Sequence, residues 1–448
     1  MPNSTLDIGL DNCKVTNLAG IILAAGEGTR MKSAMPKVLH KVCGEPMLKY
    51  TLDSLRKLGV KDNIVVTGYK AEELEAWLKS QGKGLKPVRQ LKLLGSGDAV
   101  RQARRSLAKF KGDVLVLYGD TPLIGYDSLE KLVNLHQKSN AACTLLTAVL
   151  KNPTGFGRIL RGEDNKIVKI VEEQDADHYE KAIDEINVGA YCFKSADLFS
   201  ALEELTPDNM KKEYYLTDVV AALNRGKALV ESVAADNEEE AWGINSRSDL
   251  ARANAVINKR RQEHLIANGV TIIDPATTYI FGEIEAGSDT VIYPHTVIEG
   301  GVKIGRSCQI GPFAHLRSGA VLEDSVKIGN FVEIVRAKIG AGSKIKHHSY
   351  IGDTLMGKNV NVGAGAITAN YDGKNKNTTI IEDNAFIGVG AVLIAPVKIG
   401  KGALVGAGSV VTKGKDVPAG KIVAGVPAAV LKKRRGEVTS PLQRKRGH

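Results

Sequence analysis

Val302-Lys-Ile-Gly-Arg-Ser-Cys-Gln-Ile-Gly-Pro-Phe-Ala-His-Leu-Arg-Ser-Gly-Ala-Val-Leu322 carries an aliphatic residue at every sixth position: Ile304, Ile310, Leu316 and Leu322. The same step runs back through Ile298 to Ile292 and forward to Ile328 and Ile334 without a break. Ile339, Ile345 and Ile351 resume it after one residue is dropped, and Ile381, Ile387, Leu393, Ile399, Val405 and Val411 make a second long run. Glycine often follows the aliphatic residue, as after Ile304, Ile310, Ile328 and Ile399. A helix repeats its buried face about every 3.6 residues and a strand every 2, so neither gives a period of six. A parallel β-helix of hexapeptide repeats does. Each aliphatic residue points inward, small residues turn the corners, and stacked coils share one core. Such a coil serves as a bare scaffold as readily as it carries a site. The polar excursion Tyr371-Asp-Gly-Lys-Asn-Lys-Asn377 interrupts it and is of a kind that projects toward a neighbour.

Before the repeat, short aliphatic runs alternate with longer amphipathic segments. Ile64–Thr67 and Val114–Tyr118 read as strands, Ala71–Lys79 and Asp127–Gln137 as helices. Strand alternating with helix implies a Rossmann-like α/β domain with a mostly parallel sheet. The expected organisation is a polar N-terminal extension over 1–17, the α/β domain over 18–245, and a linking helix over 246–268. A β-helix over 269–430 and a basic tail over 431–448 follow.

At 448 residues the chain has room for several cores. Its net charge of +11 is concentrated in Lys432-Lys-Arg-Arg435 and Arg444-Lys-Arg446. No aromatic residues interleave with those charges, so the tail reads as a solvated segment rather than a nucleic-acid surface. The 5 cysteines (Cys13, Cys43, Cys143, Cys192, Cys308) lack metal or disulfide spacing, which suits a reducing cytoplasm. Signal-peptide features are missing, and no apolar run nears the ~20 residues of a membrane span, so no membrane insertion is expected.

Chemistry concentrates first in Leu18-Ala-Gly-Ile-Ile-Leu-Ala-Ala-Gly-Glu-Gly-Thr-Arg-Met-Lys-Ser-Ala-Met-Pro-Lys37. A buried strand stops at two spaced glycines, where amide N–H groups can converge on an anion. Arg30 and Lys37 add positive charge, and a nucleoside triphosphate suits the loop. It is neither a Walker loop nor a full dinucleotide fingerprint. Tyr118-Gly119-Asp120 puts a carboxylate at a strand end, fit to hold Mg²⁺ beside phosphates or merely to cap a turn. Gln90 with Gly95 and Ser96 offers an amide for a base edge. Gly155-Phe-Gly157-Arg158 and Glu172 suit a sugar, although Glu172 reads equally as a surface acid. In the repeat, His347 and His348 are polar groups that the coil does not need. As strand neighbours they are expected to face opposite ways, and one could take a proton from an amine; solvated histidines are the plainer reading.

These motifs resemble the bifunctional bacterial N-acetylglucosamine-1-phosphate uridylyltransferase/glucosamine-1-phosphate N-acetyltransferase family, from about Leu18 to about Val411. The most specific matches are Gly329-Asn-Phe-Val-Glu333, Asn361-Val-Gly-Ala-Gly365 and Asn370-Tyr-Asp-Gly373; Glu185-Ile-Asn187 and Glu213-Tyr-Tyr-Leu-Thr-Asp218 support them. The resemblance implies a left-handed β-helix, a homotrimer, and Mg²⁺ with UTP and acetyl-CoA as co-substrates. It also implies UDP-N-acetylglucosamine supply for peptidoglycan and other cell-wall polymers. Leu23, Ala24, Ala25, Gly26 and Lys37 would hold the triphosphate, and Lys37 and Arg30 would be catalytic. Gln90, Gly95 and Ser96 would read uracil, with Tyr118 and Gly119 nearby. Asp120 and Asn245 would bind the metal, and Gly157, Glu172 and Asn187 the sugar. His347 would be the base for acetyl transfer. Arg317, Tyr350, Asn361 and Lys376 would hold the phosphosugar, and Ala364, Asn370, Tyr371 and Ala407 acetyl-CoA. The chain departs from the family at Val335, where Lys is usual, at Val389, where Ser is common, and at Gly425, where a basic residue is usual. Two other readings share the architecture: a monofunctional sugar-phosphate nucleotidyltransferase with a scaffold coil, and a non-catalytic assembly protein.

Overall fold

The computed structural model describes residues 17–431, so the basic tail and nearly all of the N-terminal extension lie outside the described residues. The chain forms two compact units that divide between Ile257 and Asn258. That point falls inside the helix Arg247–Ala267, so each unit includes part of it. In its first half, the Asn254 side chain accepts from the Cys43 amide at 2.7 Å. In its second half, Asn258 donates to the Thr278 carbonyl and accepts from the Ile280 amide, both at 2.9 Å. Leu265 joins the core of the coil. The expected linking helix thus makes side-chain contacts within each unit.

The first unit is built on nine strands: β1 Leu18–Ala24, β2 Asp62–Thr67, β3 Leu85–Arg89, β4 Asp113–Tyr118, β5 Cys143–Val149, β6 Arg158–Arg161, β7 Ile167–Val171, β8 Glu185–Lys194 and β9 Val230–Ala234. The main order is β9-β5-β8-β4-β1-β2-β3, with the β6–β7 hairpin attached to β8. All main pairings are parallel except those of β8, which runs antiparallel to β4 and β5. Every residue of β1 is buried, as expected of a central strand covered on both faces. β1 lies between β2 and β4, with Leu23 opposite Tyr118. The loops after β1 and β4 therefore open at the same sheet edge, where ligands of such sheets bind.

The second unit is a left-handed parallel β-helix with three stacked sheets of 10, 8 and 7 strands. Ile292, Ile310, Ile328, Ile345, Val362, Ile387 and Val405 pair in succession, one per coil. All aliphatic residues of the expected ladder are at most 4% exposed. Burial of each contributes about 1.5–3 kcal/mol. The ladder also fills the stretch that the sequence period left blank: Met356 and Val362 point inward after a second dropped residue. Thr368 takes the next inward place, its hydroxyl accepting from the Gly352 amide at 2.8 Å. Among the described residues no helix is long and apolar enough to cross a membrane.

Candidate active sites

In the first unit, a cavity of about 330 Å³ opens beyond β1 and β4. Leu23, Ala24, Ala25, Gly26, Lys37, Gln90, Gly95, Ser96, Tyr118 and Asp120 line it, so residues expected for the triphosphate and the base share one crevice with Asp120 of the expected metal pair. Glu213 and Leu93 complete its rim. Lys37 begins a short 3-10 turn after Pro36. Gly28 adopts a left-handed φ of 68°, and a Cβ there would sit 2.7 Å from the Lys37 Cβ. Gly28 thus serves the placement of Lys37; it does not line the cavity itself.

The Lys37 ammonium contacts the Asp120 carboxylate directly and donates to Asn245 Oδ1 at 3.0 Å. Both members of the Lys37–Asp120 pair are largely shielded from solvent, at 12% and 18% exposure. Two local devices hold Asn245 in place. The Ile244 amide donates to the Asp120 carbonyl at 2.9 Å. Just after Asn245, Ser246 and Asp249 form a reciprocal cap at the start of the long helix, and Asp249 also accepts from the Asn245 amide at 3.1 Å. A carboxylate and an amide oxygen converging on one cation are hard donors, and Mg²⁺ is held by one or two protein oxygens plus substrate phosphates. The residues fit that ion.

Gln90 is 5% exposed, and its NH₂ is spent on the Gly95 carbonyl at 3.1 Å and Asp98 at 2.7 Å. Its carbonyl oxygen is the atom left for a ligand N–H. The Ser96 hydroxyl accepts from the Leu216 amide at 3.0 Å and also bonds the Tyr118 phenol, whose pKa burial pushes up.

The sugar residues cluster beside Tyr118. The Asn187 amide donates to the Gly157 carbonyl at 2.9 Å, and its side chain donates to the Tyr191 hydroxyl at 2.6 Å. A Cβ on Gly157 would lie 3.7 Å from Glu172 Oε2. Burial raises the Glu172 pKa, against a 3.0 Å hydrogen bond from Thr217. Glu172 is therefore not a surface acid. Arg158, 1% exposed, is a strut: it pairs with Glu173 at 2.7 Å and reaches the Phe156 carbonyl.

In the second unit, one corner column collects a residue from each coil. Asn330 pairs with His347 in register. Backbone bonds from Gly365 to His347, from Gly390 to Ala364 and from Gly408 to Val389 continue the column. In register it runs Asn330, His347, Ala364, Val389, Ala407, Gly425. His347 is exposed, and its Nδ1 lies 3.0 Å from Asn330 Oδ1. An Nδ1–H donated there leaves Nε2 as the free acceptor, the form that a base needs. His348 is also exposed rather than turned to the opposite face. It sits at a left-handed corner with φ 44° and stacks on Phe331 at 4.9 Å.

Of the phosphosugar residues, Arg317 and Tyr350 lie on the next face. Arg317 donates to Glu333 at 2.8 Å, and Glu333 pairs in register with Tyr350. Asn370 and Tyr371 follow at the far corner of that face. They follow the strand Ile367–Ala369, one corner of the coil on from Ala364. Asn361 sits on the strand leading to Ala364, and Lys376 is exposed on the excursion. Val335 is 3% exposed. Its neighbour Arg336 leaves the strand at a left-handed φ of 46° and forms a bidentate pair with Asp353 at 2.6 and 2.8 Å. It does not replace a lysine at Val335.

Residues 19–258 match the model of the nucleotidyl transferase family. Residues 301–336 match bacterial transferase hexapeptide repeats, and 378–413 match the hexapeptide repeat of succinyl-transferase. The chain is 46% identical over 418 residues to the bifunctional protein GlmU of Geobacillus sp. (strain WCH70), covering 86% of this chain and 90% of that one. It is 45% identical to the bifunctional protein GlmU of Geobacillus thermodenitrificans (strain NG80-2), with 86% and 90% covered. For the bifunctional protein GlmU of Shouchella clausii (strain KSM-K16) the identity is 44%, with 86% and 91% covered.

The chain belongs to the GlmU family. It is a bifunctional transferase, with a nucleotidyl-transfer half and a hexapeptide acyl-transfer half. Arg30 is exposed on the 3-10 turn Thr29–Met31 and does not line the cavity. Gly119 is close to the site, but its amide is spent on the Leu23 carbonyl at 2.9 Å. The sequence reading missed Asn330. Its spacing from His347 equals one coil with the dropped residue, so the period itself could have found it.

Proposed function

We propose a division of labour for the two transfers by which this GlmU-family chain makes UDP-N-acetylglucosamine. In acetyl transfer, the Asn330-oriented His347 accepts a proton at Nε2 from the amine of glucosamine 1-phosphate as the amine attacks acetyl-CoA. Arg317, Tyr350, Asn361 and Lys376 hold the phosphosugar, while Ala364, Ala407, Asn370 and Tyr371 address acetyl-CoA. A corner split within one chain suits a site completed by other copies, and a homotrimer is the assembly that we assign.

In uridylyl transfer, the backbone of Leu23–Gly26 and the Lys37 ammonium hold the triphosphate of UTP, and the Gln90 carbonyl accepts from the imide N–H of uracil. Gly157, Glu172 and Asn187 orient N-acetylglucosamine 1-phosphate. Its phosphate oxygen is already anionic, so attack on the α-phosphorus needs alignment rather than a general base. Asp120 and Asn245 would hold Mg²⁺, which when bound neutralises charge on the phosphates. A cytoplasmic setting agrees with the buried thiols of Cys143, Cys192 and Cys308, none of them in a disulfide.

The convergence of Lys37, Asp120 and Asn245 at the cavity carries this reading. Purified protein with UTP, Mg²⁺ and N-acetylglucosamine 1-phosphate is expected to release pyrophosphate. It is also expected to release free thiol from acetyl-CoA with glucosamine 1-phosphate. No pyrophosphate from the wild type, or equal release from Asp120→Ala, sinks the first assignment. Thiol release that survives in His347→Ala sinks the second.

A further inference from the structure

The excursion that breaks the coil is tied at both ends to one residue. Asp353 lies one turn of the coil beyond Arg336 and, like it, occupies a left-handed corner, with φ 46°. Its carboxylate takes the Asn370 side-chain amide at the start of the excursion. Its backbone carbonyl takes the Thr379 amide, at 3.2 Å, where the chain rejoins the coil. Between these points the Asn377 amide closes on the Asn370 carbonyl at 2.7 Å. Asp372 braces the tip by accepting from the Lys374 and Asn375 amides at 3.0 and 2.7 Å.

The Asp353 carboxylate is itself fixed from the coil below by the bidentate guanidinium of Arg336, at 2.6 and 2.8 Å. It is 16% exposed and Asn370 is 6% exposed, while Arg336, at 40%, and the excursion beyond are open to solvent. Tyr350 closes the group from the other side. A Cβ at Gly352 would lie 2.6 Å from the Tyr350 hydroxyl and 2.7 Å from Asn370 Nδ2, so glycine is what lets ring and amide come together.

We infer that Asp353, held by Arg336, is a positioning residue for acetyl transfer: it sets Asn370 and the 370–379 excursion relative to Tyr350. This rests on the assignment of Tyr350, Asn370, Tyr371 and Lys376 to the acetyl-transfer substrates. The Arg336 pair, helped by Asn370 and by the nearby charge of Lys376, holds the Asp353 carboxyl below the usual carboxylate range, so the clamp stays charged at neutral pH. An Asn at this position keeps the size but loses the charge and bidentate geometry that match Arg336.

The test uses the full-length protein. In Asp353→Asn, amide hydrogen exchange across 370–379 is expected to speed up about tenfold, the scale of a lost charge-assisted hydrogen bond, with peptides 338–347 and 397–405 unchanged. KM for acetyl-CoA and for glucosamine 1-phosphate is expected to rise about fivefold to tenfold, with kcat within about twofold, because His347 stands at another corner. Arg336→Gln is expected to show the same pattern more weakly, since the carboxylate is still there to hold Asn370. Unchanged exchange across 370–379 overturns the inference whatever the activity. So does faster exchange spread evenly over the neighbouring coils, which is the mark of a merely structural residue. If the wild type transfers acetyl groups and Asp353→Asn has the same KM values, this inference fails alone. If His347→Ala is as active as the wild type, it is the assignment of the acetyl site that fails.

Discussion

The two halves solve the same problem, holding a phosphorylated sugar against a nucleotide-bearing co-substrate, with opposite geometry. The first gathers Leu23, Lys37, Gln90 and Asp120 from distant parts of the chain into one cavity, with Asn245 bonded to Lys37. There the Lys37–Asp120 pair is shielded from water, which strengthens its electrostatics. The second sets one residue per coil along a corner, and its histidine stands in solvent. A doubly wound sheet makes a crevice because loops at one sheet edge must enclose something. A β-helix has no such edge, since each coil repeats the last, so its outer surface gives alignment without enclosure. Enclosure there comes from an excursion such as 370–379 or from another copy.

That contrast predicts separable activities. Asp120→Ala, or chelation of divalent cations, is expected to cut uridylyl transfer about a thousandfold while acetyl transfer persists. His347→Ala is expected to cut acetyl transfer about 10²–10⁴-fold and spare pyrophosphate release. Parallel pyrophosphate and thiol assays on the same preparations check both, and a variant that lost both activities would show the halves to be coupled. Lys37→Ala comes next. It removes a charged partner of the triphosphate and of Asp120, so kcat/KM for UTP is expected to fall about tenfold to a hundredfold. Asn330→Ala is smaller: with the imidazole no longer oriented, kcat for acetyl transfer is expected to fall about threefold to tenfold, with KM for acetyl-CoA held. An Asn330→Ala enzyme with wild-type kcat would mean that the exposed His347 needs no orienting partner.

Legibility follows the same divide. The ladder from Ile292 to Ile351 could be read directly, because an inward position in a coil recurs at a fixed step and leaves a period in the sequence. It became illegible at Met356, Val362 and Thr368, where a dropped residue shifted the frame and a hydroxyl replaced a methyl. The excursion then displaced the next aliphatic residue, Ile381. Local strand neighbours misled for the same reason. His348 looks like the alternate residue of a strand, yet it turns a left-handed corner, where alternation no longer governs side-chain direction. In the first unit, the strands β1, β2 and β4 were plain from their aliphatic runs. The loop Gly26–Lys37 was legible as an anion site, but spacing alone did not tell which cation faces the cavity. Lys37 does so because Gly28 and Pro36 turn it inward, whereas Arg30 is carried outward on its 3-10 turn.

The smallest expected effect tests whether the enclosed half carries a cost that the open half avoids. Asp218 opens the helix Asp218–Arg225 and sits near Glu172 and Asp175. Burial first, and then those two carboxylates, push its pKa from 3.8 up to about 6, with Arg225 opposing. The folded protein thus binds this proton more tightly than the unfolded chain does. Stability from that proton is fully present below about pH 4 and is lost as pH rises through about 6. Asp218→Asn, which is neutral throughout, is expected to be more stable than the wild type at pH 8 and to converge with it near pH 4. The helix N-terminus works the other way, since an acid in the first turn gains about 0.3–1 kcal/mol that Asn gives up. Burial, and then the two carboxylates, are expected to outweigh this gain. After allowance for the partial exposure of Asp218, the net benefit at pH 8 is about 1 kcal/mol, or about 2–4 °C in the melting of the first unit. Thermal melts of both proteins at pH 8 and pH 4 decide the matter. If Asp218→Asn melts lower at pH 8, the helix cap dominates, and the crowding around Glu172 is not a cost of enclosing the sugar site.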